Sequence, residues 1–96
     1  MYKLAFSQTF LQKLDKLAKK DREIRKRVKK TLQIFAENPF YPSLKTHKVD
    51  TRLYGKRWSS IVTGNLRVIW DFEGGDKQIL LLFTIGGHSG KDRVYK

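Results

Sequence analysis

Three side chains in the last third of this chain are suited to work on a phosphodiester: Arg67, His88 and Tyr95. Arg67 lies inside the β-like run Leu66-Arg67-Val68-Ile69-Trp70. A guanidinium among apolar neighbours calls for a partner, either a carboxylate (Asp71 or Asp50) or a phosphate. His88 follows Ile85-Gly86-Gly87, where a glycine turn aims an imidazole at the end of a sheet or leaves it on a surface turn. Tyr95, in Arg93-Val94-Tyr95, brings a phenol that stacks on a base, assists a proton transfer or anchors the tail by packing. Cutting RNA without a metal needs a base for the 2′-hydroxyl proton, an acid for the leaving 5′-oxygen and cations for the charged phosphorane. Imidazole, with an ordinary pKa of roughly 6.5, serves either proton role.

Other residues fit binding better than chemistry. His47, in Lys45-Thr46-His47-Lys48, is a second imidazole, with Asp50 nearby, but no motif fixes its place. Lys48, Lys56, Arg57 and Arg93 are expected to contact phosphates. Trp58 either stacks a nucleobase, worth roughly 1–3 kcal/mol, or packs at a sheet edge. The net charge of +12, from 21 Lys+Arg against 9 Asp+Glu, implies an anionic partner: nucleic acid, an acidic protein or a membrane surface. The run from Arg22 to Lys30 is a solvated helix face or one that lies along RNA through salt-sensitive contacts.

The same composition argues against other classes. With no cysteine, two histidines and no His-x-x-x-His spacing, neither a disulfide nor a zinc site is expected. No phosphate-cradling glycine loop precedes a Lys-Ser/Thr pair, so no metal and no small-molecule cofactor is expected. No apolar run approaches the roughly 20 residues that span a bilayer. Met1–Phe6 is too short and too soon polar for a signal peptide. A soluble, cytoplasmic chain without a membrane partner is expected. Its 96 residues make one domain, 1–96, with a single modest core.

The elements that must position these residues follow from periodicity. Tyr2 to Phe6 reads as a short edge strand, and Ser7 as a helix N-cap with Phe6 and Leu11 as a hydrophobic staple. Phe10, Leu14, Leu17 and Ala18 recur at helical spacing, with Lys13, Lys16, Lys19 and Lys20 on the other face. Asp21 caps a second helix whose apolar positions are Ile24, Val28, Leu32 and Phe35, and Asn38-Pro39 stops it. Residues 39–52 read as an irregular connection. From Tyr54 onward the pattern is β, with hairpin turns at Gly64-Asn65 and Gly74-Gly75. Regular pairing from those turns puts Leu66, Val68, Trp70 and Phe72 on one face with Ile61, Ile79, Leu81, Phe83 and Ile85. The other face takes Lys56, Trp58, Ser60, Val62, Arg67, Ile69, Leu80 and Leu82, and is expected to stay partly open.

Taken in this order, the elements resemble the RelE/ParE superfamily of toxins from bacterial type II toxin–antitoxin systems. Leu66-Arg67-Val68-Ile69-Trp70 looks like the family's aromatic-Arg-aliphatic-aliphatic-aromatic strand. Ile85-Gly86-Gly87-His88 is similar to the Ile-Gly-x-His ending of the YafQ-like branch. Arg93-Val94-Tyr95 resembles the family's Val-Tyr terminus, and Gly55-Lys56-Arg57-Trp58-Ser59 the Trp-Ser strand of the HigB-like branch. The resemblance implies an α+β fold: a first strand and a two-helix hairpin on one face of an antiparallel, roughly four-stranded sheet. It also implies a ribosome-dependent messenger RNA endonuclease acting on the 70S ribosome and neutralised by an acidic antitoxin. His88 would be its acid or base, Arg67 would meet the phosphate and Tyr95 would assist. Two departures stand out: Trp58 and Ser60 where RelE-type members carry lysines, and the extra Ser89-Gly90-Lys91-Asp92 before Arg93. The alternatives are a ParE-like inhibitor of DNA gyrase and a non-catalytic RNA-binding relative.

Overall fold

In the computed structural model, residues 1–87 are described. The chain runs β1 (Lys3–Phe6), α1 (Gln8–Lys20), α2 (Glu23–Glu37), a 3-10 turn (Pro42–Leu44), β2 (His47–Thr51), β3 (Gly55–Thr63), β4 (Leu66–Glu73) and β5 (Asp76–Gly87). The architecture is α+β, as expected, with both helices against one face of the sheet. The sheet has five strands in the order β1-β5-β4-β3-β2 rather than four. It is mixed rather than wholly antiparallel, because β1 runs parallel to β5. The fifth strand is β2, in the stretch expected to be irregular. Its sequence His-Lys-Val-Asp-Thr buries only Thr51 and half-buries Val49, as an edge strand does, so it carries no alternation to read.

The helices form where their apolar spacing and caps put them. Ser7 Oγ accepts from the Phe10 N–H at 3.0 Å, capping α1. The same hydroxyl donates to the Phe83 carbonyl at 2.6 Å, which ties the helix start to β5. The Phe6 ring lies against Phe10 instead of Leu11, at 5.3 Å between centroids, and Leu11 stays exposed. Asp21 Oδ1 takes the Glu23 N–H at 3.0 Å. Asn38 closes α2, its N–H bonded to the Ile34 carbonyl. Phe10, Ile24, Val28 and Phe35 enter the core, which β4 and β5 complete with Leu66, Val68, Trp70, Leu80, Leu82 and Ile85.

The two hairpin turns stand where the glycines predict, but the ladders beyond them are offset. Thr63 pairs with Leu66, and then Val62 bulges, so that Ile61 faces Arg67, Ser60 faces Val68 and Trp58 faces Trp70. Glu73 pairs with Asp76, yet Phe72 pairs with Leu80 and Trp70 with Leu82. Phe83 is then passed over, and Ile69 faces Thr84. Each odd offset turns the following side chains to the other face. Trp58, Ser60, Val62, Leu80 and Leu82 are therefore on the helix side, and Ile61, Leu81 and Phe83 are not, which reverses their expected placement. Ile85 keeps its expected side because the two offsets in β5 add to an even number.

Trp70 sits at the centre of this packing. Its ring meets Phe35 edge-on at 5.0 Å, and its indole N–H donates to Ser60 Oγ at 2.9 Å. Ser60 Oγ also shares a hydrogen bond with Thr46 Oγ1 at 2.6 Å, and Thr46 Oγ1 donates to the Pro39 carbonyl at 2.5 Å. Ser60→Ala would leave the buried indole N–H without its acceptor. It is expected to cost about 1–3 kcal/mol, read as a lower urea midpoint at unchanged slope.

Candidate functional site

The sheet face turned away from the helices gathers most of the polar side chains capable of chemistry. Three rows cross it, set by the strand pairing. One holds Val49, Arg57 and Asp71, the next His47, Ser59, Ile69 and Thr84, and the last Ile61, Arg67 and Gly86. This face is less open than expected, since Ser59, Ile69 and Thr84 are buried across its middle.

Arg57 is the most firmly placed cation of this face. Its Nη1 pairs with Asp71 Oδ2 at 3.0 Å, and its Nε donates to the Tyr54 carbonyl at 2.9 Å. The guanidinium lies 4.8 Å over the Phe83 ring, on which Tyr54 stacks at 5.1 Å and 29°. Phe83 reaches this cluster because of the bulge in β5. Tyr54 is held by the β2–β3 turn, where its N–H donates to Thr51 Oγ1 at 3.0 Å and Gly55 adopts φ +73°. Sequence reading missed Tyr54 and Phe83, because only the bulge brings Phe83 to this side.

The carboxylate of Asp71, one of the partners expected for Arg67, is taken by Arg57 and by the Phe72 N–H. Arg67 Nη1 donates to the Gly64 carbonyl at 2.7 Å, over the β3–β4 turn. Strand pairing sets Arg67 opposite Gly86, and Leu66 opposite Gly87, the last described residue. His88, Arg93 and Tyr95 lie outside the described residues. His47 is exposed on the edge strand, and its Nδ1 is 2.9 Å from the Lys45 carbonyl. A carbonyl only accepts, so in the neutral ring Nδ1 carries the hydrogen and Nε2 the free lone pair.

The remaining expected contacts are on the helix side. Trp58 packs between Phe40, at 5.0 Å, and Trp70, at 6.0 Å. Lys48 Nζ covers it from 4.5 Å. Lys56, opposite Asp50, alternates to that side as well and is exposed. His47, Arg57 and Arg67 thus share this face at separate places, the edge strand, the Tyr54 end and the β3–β4 turn, and Lys48, Lys56 and Trp58 are on the other. Among the described residues no group of three or more His, Cys, Asp or Glu is placed to hold a metal ion. None of their helices is long and apolar enough to cross a membrane.

A two-helix hairpin on one side of a five-stranded mixed sheet is a fold this chain shares with solved structures of toxins. Three solved neighbours carry that likeness. A metal-bound toxin from Helicobacter pylori aligns with a TM-score of 0.71 and 22% identity, covering 92% of this chain and 96% of its own. A YoeB/ParE toxin from Agrobacterium tumefaciens gives 0.69 and 18%, over 91% and 99%. The DinJ–YafQ complex of E. coli gives 0.63 and 20%, over 92% and 94%. No family model matches the sequence, and no curated protein matches it either.

Two substitutions test this geometry. Thr84 Oγ1 is buried without a hydrogen-bond partner, so Thr84→Val is expected to raise stability by about 1 kcal/mol in thermal melts. Gly55→Ala meets no atom within 4 Å but strains a left-handed backbone. It is expected to cost about 1–2 kcal/mol by the same measurement.

Proposed function

We propose that this chain is the toxin of a type II toxin–antitoxin pair, and that it cleaves messenger RNA in the A site of the 70S ribosome. The observation that carries this is that His47, Arg57 and Arg67 share one sheet face of a fold found in solved toxins. Attack of a 2′-oxygen on the adjacent phosphorus breaks the bond to the 5′-oxygen, leaving a 2′,3′-cyclic phosphate and a 5′-hydroxyl. His47 Nε2 is suited to take the 2′-hydroxyl proton, because its other nitrogen is committed to the Lys45 carbonyl. His88 supplies the proton for the leaving oxygen, Arg67 neutralises the phosphorane and Tyr95 aids stacking or proton transfer. Arg57 and Arg93 hold the strand. No metal or cofactor enters the scheme, and the site of action is the cytoplasm.

An acidic antitoxin is the second proposed partner, supported by the net charge of +12 and by the DinJ–YafQ complex among the neighbours. An apolar groove of about 880 Å³, lined by Leu4, Phe6, Leu14 and Leu32 with Arg25, Lys29 and Glu37 among its charged residues, offers room for an amphipathic segment.

Primer extension on transcripts in a translation extract given the purified protein tests the proposal. Ribosome-dependent cuts are expected. His88→Ala should slow them about 10²–10⁴-fold, and Arg67→Ala about 10²–10³-fold, with unchanged circular dichroism. Uncut transcripts together with lost supercoiling by gyrase would replace this function with gyrase inhibition. Uncut transcripts with intact supercoiling would leave only RNA binding.

A further inference from the structure

Tyr54 and Phe83 are aromatic residues that the core does not use and the cleavage scheme leaves without a role. The shift in β5 puts Phe83 on the far face, where its ring is half-buried. The Arg57 guanidinium lies over that ring, and Tyr54 stacks on it. Stacking occupies one face of the Tyr54 ring, and the residue keeps part of its surface in water. The same turn leaves Arg52 and Leu53 exposed.

The backbone of Tyr54 is fixed from both sides. Thr51 Oγ1 accepts the Tyr54 N–H at 3.0 Å and donates to the Gly55 carbonyl at 2.8 Å. The Tyr54 carbonyl takes Arg57 Nε, and Arg57 is tied in turn to Asp71. A ring held this way has little freedom left to lose when a ligand arrives. A preorganised, partly open aromatic ring beside a guanidinium is suited to stack an unpaired nucleobase.

Placement along β3 says which base could reach it. Arg57 and Ile61 are four residues apart on that strand, and Ile61 faces Arg67. The Arg57 and Arg67 rows are therefore roughly 13 Å apart. Arg67 is bonded to the Gly64 carbonyl, on the side away from Arg57. That span exceeds one nucleotide. A strand whose scissile phosphate meets Arg67 brings to Tyr54 a base that does not adjoin the cut.

We propose that Tyr54 is a specificity-determining residue of this chain, stacking a purine of messenger RNA at a position that does not adjoin the scissile phosphate. It rests on the reading of the far face as the site of cleavage, and it assigns sequence preference to a residue outside the proton-transfer scheme. Purines offer the larger stacking surface, which sets the direction of the preference.

The test is a cleavage profile. A transcript with one wild-type cut is randomised at the nucleotides flanking that cut, given to ribosomes with the purified protein, and its products are sequenced. The wild type is expected to favour purines at a position that does not adjoin the cut. Tyr54→Leu should bring the purine-to-pyrimidine ratio there to about 1, and should lower kcat/KM on the preferred sequence about 5- to 150-fold, through KM. Tyr54→Phe keeps the ring and should keep both values. Tyr41→Leu, at an exposed tyrosine beyond α2, should change neither. A Tyr54→Leu profile identical to that of the wild type overturns the proposal, whatever its melting temperature, and leaves the ring as a brace for Arg57. Preferences that weaken equally at every position also overturn it, as does a wild type indifferent to every base that does not adjoin the cut. In all three cases the wild type still cuts, so only the subsite is rejected. A wild type that cuts no transcript rejects the cleavage reading and the subsite together.

Discussion

The hydrogen bond from the Trp70 indole to Ser60 Oγ ties β3 to β4 in the register that serves the core. Trp70 is fully buried between α2 and the sheet, and an indole N–H there needs an acceptor. Ser60 provides it only while β3 lies so that Trp58 faces Trp70. A slip of one residue would send Ser60 to the far face and strand the N–H. The bulge at Val62 makes this register compatible with the Gly64-Asn65 turn. The same register sends Arg57, Ser59 and Ile61 outward, and so builds one edge of the candidate site. Core and site are two consequences of one alignment.

The same alignment sets the inner face of β3. Trp58 and Ser60 are helix-side residues, one packed among aromatic rings and the other joined to Trp70 and Thr46. A lysine at position 60 would put an ammonium group in the core, against a steep desolvation cost. The cations facing away from the helices come instead from Arg57 and Arg67. Arg57 is fixed by Asp71, the Tyr54 carbonyl and Phe83, so its charge is preorganised rather than freely mobile. Arg67 Nη1 is bonded to the Gly64 and Leu66 carbonyls at its own turn.

β5 does the corresponding work on the other side of β4. Passing over Phe83 keeps Leu82 and Ile85 in the core while delivering Phe83 and Thr84 together to the far face. Ser7 takes the Phe83 carbonyl there and caps α1 with the same hydroxyl. The start of the first helix, the bulge and the Tyr54–Phe83–Arg57 cluster are thereby linked. At the described end of β5, Gly86 stands opposite Arg67 and Gly87 opposite Leu66.

The sequence by itself determined the helices, their caps and their stops, because those signals are local: Ser7 and Asp21 at the starts, Asn38-Pro39 at the end, apolar residues at helical spacing between. It also determined which residues carry charge and imidazole, the two hairpin turns and the inward face of β4. The tertiary structure alone decided the faces of β3 and of much of β5. Neither Val62 nor Phe83 bears a mark of bulging, since each offset arises from what must pack across the sheet and not from its own neighbours. β2 was hidden for a related reason, because an edge strand with one face in water has little alternation to show. Whether Trp58 or Phe83 faced the site was therefore never written in either residue. For Trp58 it was settled by where Trp70 found its acceptor, and for Phe83 by the shift in β5 that keeps Leu82 and Ile85 in the core.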